Sequence, residues 1–142
     1  MDPVSRFRKL AVKRGLTPGA LLDANPADFD LLLLSLRREF PAAPAFTERE
    51  VNEILCRWLQ SAGGMLDVDH VELRRWLVDL MLISRDAYGR AYLLAPVPSR
   101  LAELDADVAG VDFGREFADA NAQESQKRAA RKMAWQQARA ES

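Results

Sequence analysis

Chemistry in this chain would have to come from its arginines and lysines. Arg74 and Arg75 are adjacent, Arg85 and Arg90 flank an Asp86-Ala-Tyr-Gly89 tetrapeptide with Tyr88 inside it, and Lys127, Arg128, Arg131 and Lys132 cluster near the C-terminus. Guanidinium forks match phosphate and carboxylate oxygens alike, so these groups point to contact with a polyanion or with acidic side chains. The parts for other chemistries are missing. His70 stands near Asp67 and Asp69 but is the only histidine, too few for the three or four ligands a metal needs. Cys56 has no histidine near it in sequence to activate a thiolate. No glycine-rich phosphate loop occurs, and Glu48, Glu50 and Glu53 gather where a helix starts and its dipole favours them. The expectation is no enzyme, no metal and no cofactor.

The elements that position these residues follow from length and pattern. With 142 residues, 49% apolar and 29% charged, the chain has the size and balance of one folded domain with extensions. No apolar run approaches the ~20 residues of a membrane span, and the N-terminus lacks the apolar body of a secretory signal, so a cytoplasmic protein with no membrane partner is expected. Charge is unevenly spread. Residues 1–15 carry five basic side chains against one acidic, as do residues 127–142, while residues 16–126 carry ten against nineteen, a net of −9. The basic ends are either solvated or touch phosphate or an acidic surface.

Residues 3–14 read as a helix with Val4, Phe7, Leu10 and Ala11 on one face, and residues 16–19 as a break, with Leu21 and Leu22 covering a core edge. Asn25-Pro26 opens a helix to about Phe40, with Phe29, Leu32, Leu33, Leu36 and Phe40 inward and Arg37 to Glu39 in water. Thr47 and Glu50 form a capping box with Phe46 and Val51 as its hydrophobic staple, and Asp69 and Glu72 repeat the device with Val68 and Leu73. Trp58 and Trp76 fall on the apolar faces of the two helices so started. Residues 82–85 and 90–94 read as strands around a turn containing Gly89. A small helix with Leu101, Leu104 and Val108 on one side stops at Gly110. Residues 114–140 form a long, poorly anchored helix, with only Phe117, Met133 and Trp135 able to bury much area.

Helix, capped helix, capped helix, hairpin is the order of a winged helix, whose third helix enters the major groove of DNA while the hairpin lies along phosphates. That mapping sets His70, Glu72, Arg74, Arg75 and Asp79 near bases and Arg85 and Arg90 near the backbone. Adjacent residues on a helix point about 100° apart, so Arg74 and Arg75 divide their work. Arg74 is expected at the core edge, paired with a carboxylate such as Glu50 or Asp86, and Arg75 outward. Asn52 is expected to fix the loop at the helix start. The segment between Gln60 and Asp69 exceeds a tight helix-turn-helix turn and has room for a small strand.

Three blocks within residues 29–94 carry a resemblance. Glu48 to Leu55 has the form E-x-E-V-N-x-x-L, Leu73 to Asp79 the form L-R-R-x-L-V-D, and Arg85 to Gly89 the form R-D-x-x-G. Together they resemble a bacterial domain-of-unknown-function family, DUF2087. The resemblance implies a winged-helix-like domain, sometimes fused to helix-turn-helix regulators, and so a role in transcription.

The expected fold is mainly α with a short β-hairpin: an N-terminal helical extension over 1–25, a winged-helix-like three-helix core over 26–98, and a C-terminal helical extension over 99–142. Two functions stand. One is binding of double-stranded DNA through Arg74, Arg75, Arg85, Tyr88, Arg90, Lys127, Arg128, Arg131 and Lys132. The other is a protein-interaction adaptor or homodimer that docks through its acidic body or its C-terminal helix. Residues 46–94 hold six basic side chains against eight acidic, so DNA affinity would lean on the basic ends.

Overall fold

The computed structural model describes residues 1–88 and 90–141. The described chain is mainly helical: α1 (Pro3–Ala11), α2 (Pro18–Ala24), α3 (Pro26–Arg37), α4 (Glu48–Leu59), α5 (His70–Asp79), strands β1 (Ile83–Arg85) and β2 (Tyr92–Leu94), a 3-10 turn (Ser99–Leu101), α6 (Ala102–Asp107) and α7 (Phe113–Glu141). Three of the helices begin alike. Asp2, Thr17 and Asn25 each accept a bond from the backbone N–H three residues on, and a proline follows in the first turn, where its missing N–H costs nothing. Thr17-Pro18 therefore starts a helix where the sequence reading had a break. α1 ends at Ala11, earlier than expected, because the Arg14 guanidinium turns back onto the carbonyls of Ala11 and Lys13.

α3 is the centre of the molecule. α1 and α2 pack on it, and Leu31 to Leu36 are all buried, so the single apolar face read from the sequence is instead a helix enclosed all round through its second half. Ser35, the one polar residue of that run, accepts a hydrogen bond from Trp58 Nε1 of α4 at 3.0 Å. The bond satisfies two groups that burial would otherwise leave unpaired. α3 closes at Arg37 rather than Phe40, and Arg37 does not face water: it is half-buried and donates to the Ala95 carbonyl at 2.9 Å.

The capping box of α4 forms as expected. Thr47 Oγ1 accepts from the Glu50 N–H, Glu50 Oε1 accepts from the Thr47 N–H, and the staple residues Phe46 and Val51 are buried. The start of α5 is only half of that device. Asp69 accepts from the Glu72 N–H at 2.8 Å, while Glu72 makes no return bond to the cap. Between the two helices the chain runs close to aromatic rings. A side chain at Gly63 would meet the Trp58 indole at 2.4 Å, and one at Gly64 would meet Phe117 of α7 at 2.7 Å. The loop then makes a short parallel bridge, Leu66 with Leu16. The small strand allowed for in this loop is thus a one-residue bridge, and its partner is the segment between α1 and α2.

Beyond α5, Met81 takes a left-handed backbone (φ 63°) and turns the chain into the antiparallel pair of β1 and β2, with Ile83 opposite Leu94 and Arg85 opposite Tyr92. Phe46 adds a third, bridging position, exchanging both backbone bonds with Tyr92 at 2.8 Å. Tyr92, at the turn end of the paired strands, is buried and anchors the hairpin to the body. Gly89, read as the turn glycine, lies outside the described residues. Leu101 and Val108 are buried as the small amphipathic pattern required, and Gly110 (φ 80°) ends that segment.

α7 has two halves. Its first turns are docked on α1 through Phe113 and Ala120, both buried, and Phe117, partly buried. This corrects the poorly anchored helix of the sequence reading for the first half only. Every residue from Ser125 to Glu141 is exposed, Met133 and Trp135 included.

A candidate nucleic-acid interface on helix α5 and the hairpin

The face of α5 opposite Leu73 and Leu77 carries Val71, Arg74, Arg75, Val78 and Asp79, at the spacing of one helical stripe. These residues, with Arg85 and Tyr92 of the hairpin, line a groove of about 310 Å³. The groove brings three of the sequence-predicted residues together: Arg74, Arg75 and Arg85. Val71 and Val78, which supply its apolar walls, were not among them. Their signal was available, since both are β-branched apolar residues outside the stripe that Leu73 and Leu77 bury.

The three arginines are held differently. Arg74 is largely buried (side chain 17% exposed) and pairs with Glu48 at 3.2 Å and with Asn52 Oδ1, so it bolts α5 to α4. Its partners are not the Glu50 or Asp86 expected. Glu50 is occupied in its own capping box, and Asp86 accepts the backbone N–H groups of Tyr88 and Arg90. Asn52 accordingly orients an arginine of the next helix instead of fixing its own loop. Arg75 is exposed, as expected, and Arg85 lies over the Tyr92 ring at 5.6 Å. Tyr88 is 81% exposed at the hairpin turn, with the Arg90 guanidinium 5.7 Å from its ring centre. Among the described residues none of Arg75, Arg85 and Arg90 forms an ion pair.

The acidic neighbours are Asp79 in the groove wall and Glu72, which shares a shallow depression with Arg75, Trp76 and Asp79. His70 lines neither. Among the described residues no three His, Cys, Asp or Glu side chains converge as metal ligands would. Two carboxylates elsewhere are held below their usual range by hydrogen bonds. Asp2 owes this chiefly to the Ser5 backbone N–H, and Glu50 to the Thr47 backbone N–H and then the Thr47 side chain. Both are helix caps and neither touches the groove.

Lys127, Arg128, Arg131 and Lys132 do not join this site. Lys127 and Arg128 border crevices between α1 and α7, and Arg131 and Lys132 lie further along the exposed half of α7. The basic N-terminal end is partly spent inside the molecule. Arg6 pairs with Asp28 of α3 at 3.0 Å, and Arg8 with Glu116 of α7 at 2.7 Å.

Residues 24–94, which run from the end of α2 to the end of β2, match a family described as "Uncharacterized protein conserved in bacteria (DUF2087)". No curated protein and no solved structure matches the chain. Among the described residues no helix is long and apolar enough to cross a membrane.

Proposed function

The match spans half of the chain, which therefore belongs to the bacterial family DUF2087, and from that premise we propose that it is a cytoplasmic, winged-helix-type binder of double-stranded DNA with a role in transcriptional regulation. One observation carries the reading: Arg75 and Arg85, with no ion pair among the described residues, meet across one groove between α5 and the hairpin, and Arg90 and Tyr88 extend that surface at the turn. Arginine held out of internal pairs keeps its full charge for phosphate, and a bidentate fork suits both phosphate and the guanine edge. Arg74 is the positioning residue. Its bonds to Glu48 and Asn52 fix the tilt of α5 on α4, and with it the direction in which Arg75 points. Asp79 in the wall and the acidic balance of residues 46–94 keep the groove's own non-specific affinity low, so discrimination at the groove must come from fit.

Fluorescence anisotropy with labelled duplex fragments at low salt tests this reading. Binding is expected to weaken steeply as salt rises, and Arg75→Ala or Arg85→Ala to reduce the slope of log affinity on log salt by about 1 each. Duplexes left unbound by the intact protein at low salt would overturn it. That result would favour the second reading, a protein-interaction adaptor. The adaptor would dock through its acidic body or its C-terminal helix, and Met81, Tyr88 and Leu93, exposed apolar side chains on and beside the hairpin, support the first of these.

A further inference from the structure

The two basic ends of the chain, far apart in sequence, are neighbours in the fold. α1 and α7 lie side by side, with Phe7 edge-on to Phe113 at 4.9 Å. Arg8 donates to Glu116 and Gln123, and Asn121 Nδ2 donates to the Ala11 carbonyl. Contacts climb together along both helices, so the C-terminal end of α1 meets the middle of α7. Arg6 and Arg8 are spent in internal pairs, and Arg14 donates to the Ala11 and Lys13 carbonyls and to Asn121 Oδ1, but Lys9 and Lys13 remain exposed on α1 and the turn that follows it. Lys9 and Lys127 border one side of the helix–helix crevice, Arg14 and Arg128 the other, and Glu124 is common to both sides. That one carboxylate is already shared by Arg128 at 3.5 Å and Arg131 at 3.4 Å, so it neutralises little of what surrounds it.

Past this junction α7 continues unsupported, and its charges are arranged. Arg128, Arg131, Lys132, Trp135 and Arg139 recur at intervals of three and four and form one stripe. At about 1.5 Å per residue the stripe is roughly 16 Å long. Trp135 is 59% exposed within it, and the Arg139 guanidinium is stacked 4.7 Å from its ring centre. The opposite face holds Gln126, Ala129, Ala130, Met133 and Gln137. A helix that lies in a membrane surface needs a broad apolar face opposite its cations, and Met133 alone does not make one. Phosphates spaced along a duplex do suit a straight cationic stripe, since B-DNA carries a charge about every 1.7 Å of its axis.

We infer that the C-terminal half of α7, continued onto the body by Lys9 of α1, is a second, sequence-independent surface for the phosphate backbone of duplex DNA. The inference rests on the DNA reading for the identity of the polyanion but uses none of the groove residues. Anisotropy with unrelated 20-base-pair duplexes separates the two. In the full-length chain, the triple variant K127A/R131A/K132A is expected to weaken binding equally for every sequence and to lower the salt slope by about 3. The three side chains are exposed, so circular dichroism should be unchanged. Glu124→Gln, which removes the acid common to both crevices, is expected to tighten binding. If the triple variant and Glu124→Gln bind as the parent does while Arg75→Ala and Arg85→Ala weaken it, the inference is overturned and the groove reading stands. If only the α7 variants act, the inference stands and the groove reading falls. Co-sedimentation with phosphatidylserine vesicles that depends on the three residues, with no duplex bound, overturns it in favour of a membrane surface.

Discussion

α3 and the distal half of α7 are both helical for opposite reasons. α3 is enclosed on every side from Leu31 to Leu36, and this Leu-Leu-Leu-Leu-Ser-Leu run is held by packing and by the Trp58–Ser35 bond. Residues 125–141 touch nothing else in the molecule that buries them, and their helix rests on the propensity of Ala, Gln, Arg and Lys and on local pairs such as Arg128 with Glu124. The contrast separates a part of the sequence that answers to the fold from a part that answers to whatever the protein meets. On that ground α3 should tolerate little change to its fold and the distal half of α7 a great deal.

The comparison can be broken at either end. Leu36→Ala, which empties a fully buried site at the centre of α3, should cost about 2–5 kcal/mol in denaturant unfolding. A loss under 1 kcal/mol would mean that α3 is not the central support. Thr47→Ala, which removes one half of the α4 cap, should cost about 1 kcal/mol. The other half depends on pH. Because the folded state holds the Glu50 carboxyl below its usual range, the unfolded chain takes up that proton first as pH falls. The cap's contribution is therefore present above the ordinary glutamate range and lost as pH drops through the lowered value. Glu50→Gln should flatten that acid limb of the stability profile, and an unchanged limb would assign it to other carboxylates. The smallest effect belongs to the free helix: Trp135→Ala should shift stability by no more than about 0.5 kcal/mol. A larger loss would show that the distal half is docked in solution.

What could be read from the sequence was local. The Thr47 capping box, the Asn25-Pro26 start, the hairpin and the Gly110 stop each depend on residues within a few positions of one another, and each appears in the structure. α2 was legible in the same grammar, because Thr17-Pro18 repeats the pattern of Asn25-Pro26; the glycine after it masked the signal. The enclosure of α3 was not legible, since it depends on α1 and α2 folding over a face that helical periodicity assigns to solvent. The groove was half legible. An outward Arg75 follows from helix geometry, whereas the partners of Arg74 required knowing that Glu50 and Asp86 are already engaged with backbone N–H groups. Arg8 with Glu116 spans 108 positions, which no local pattern encodes, so the convergence of the two basic ends emerges only from the packing of α1 on α7.

Gly64 marks the seam between the portion of the chain that matches the family and the helix appended to it. The missing side chain there lets Phe117 rest directly on the α4–α5 connection. In a relative with the same core but an alanine in this place, the Phe117 ring would have to shift off the α4–α5 connection. The position thus works as an adaptor plate, and what it accepts decides whether such a domain can carry an outrigger of this kind at a fixed angle.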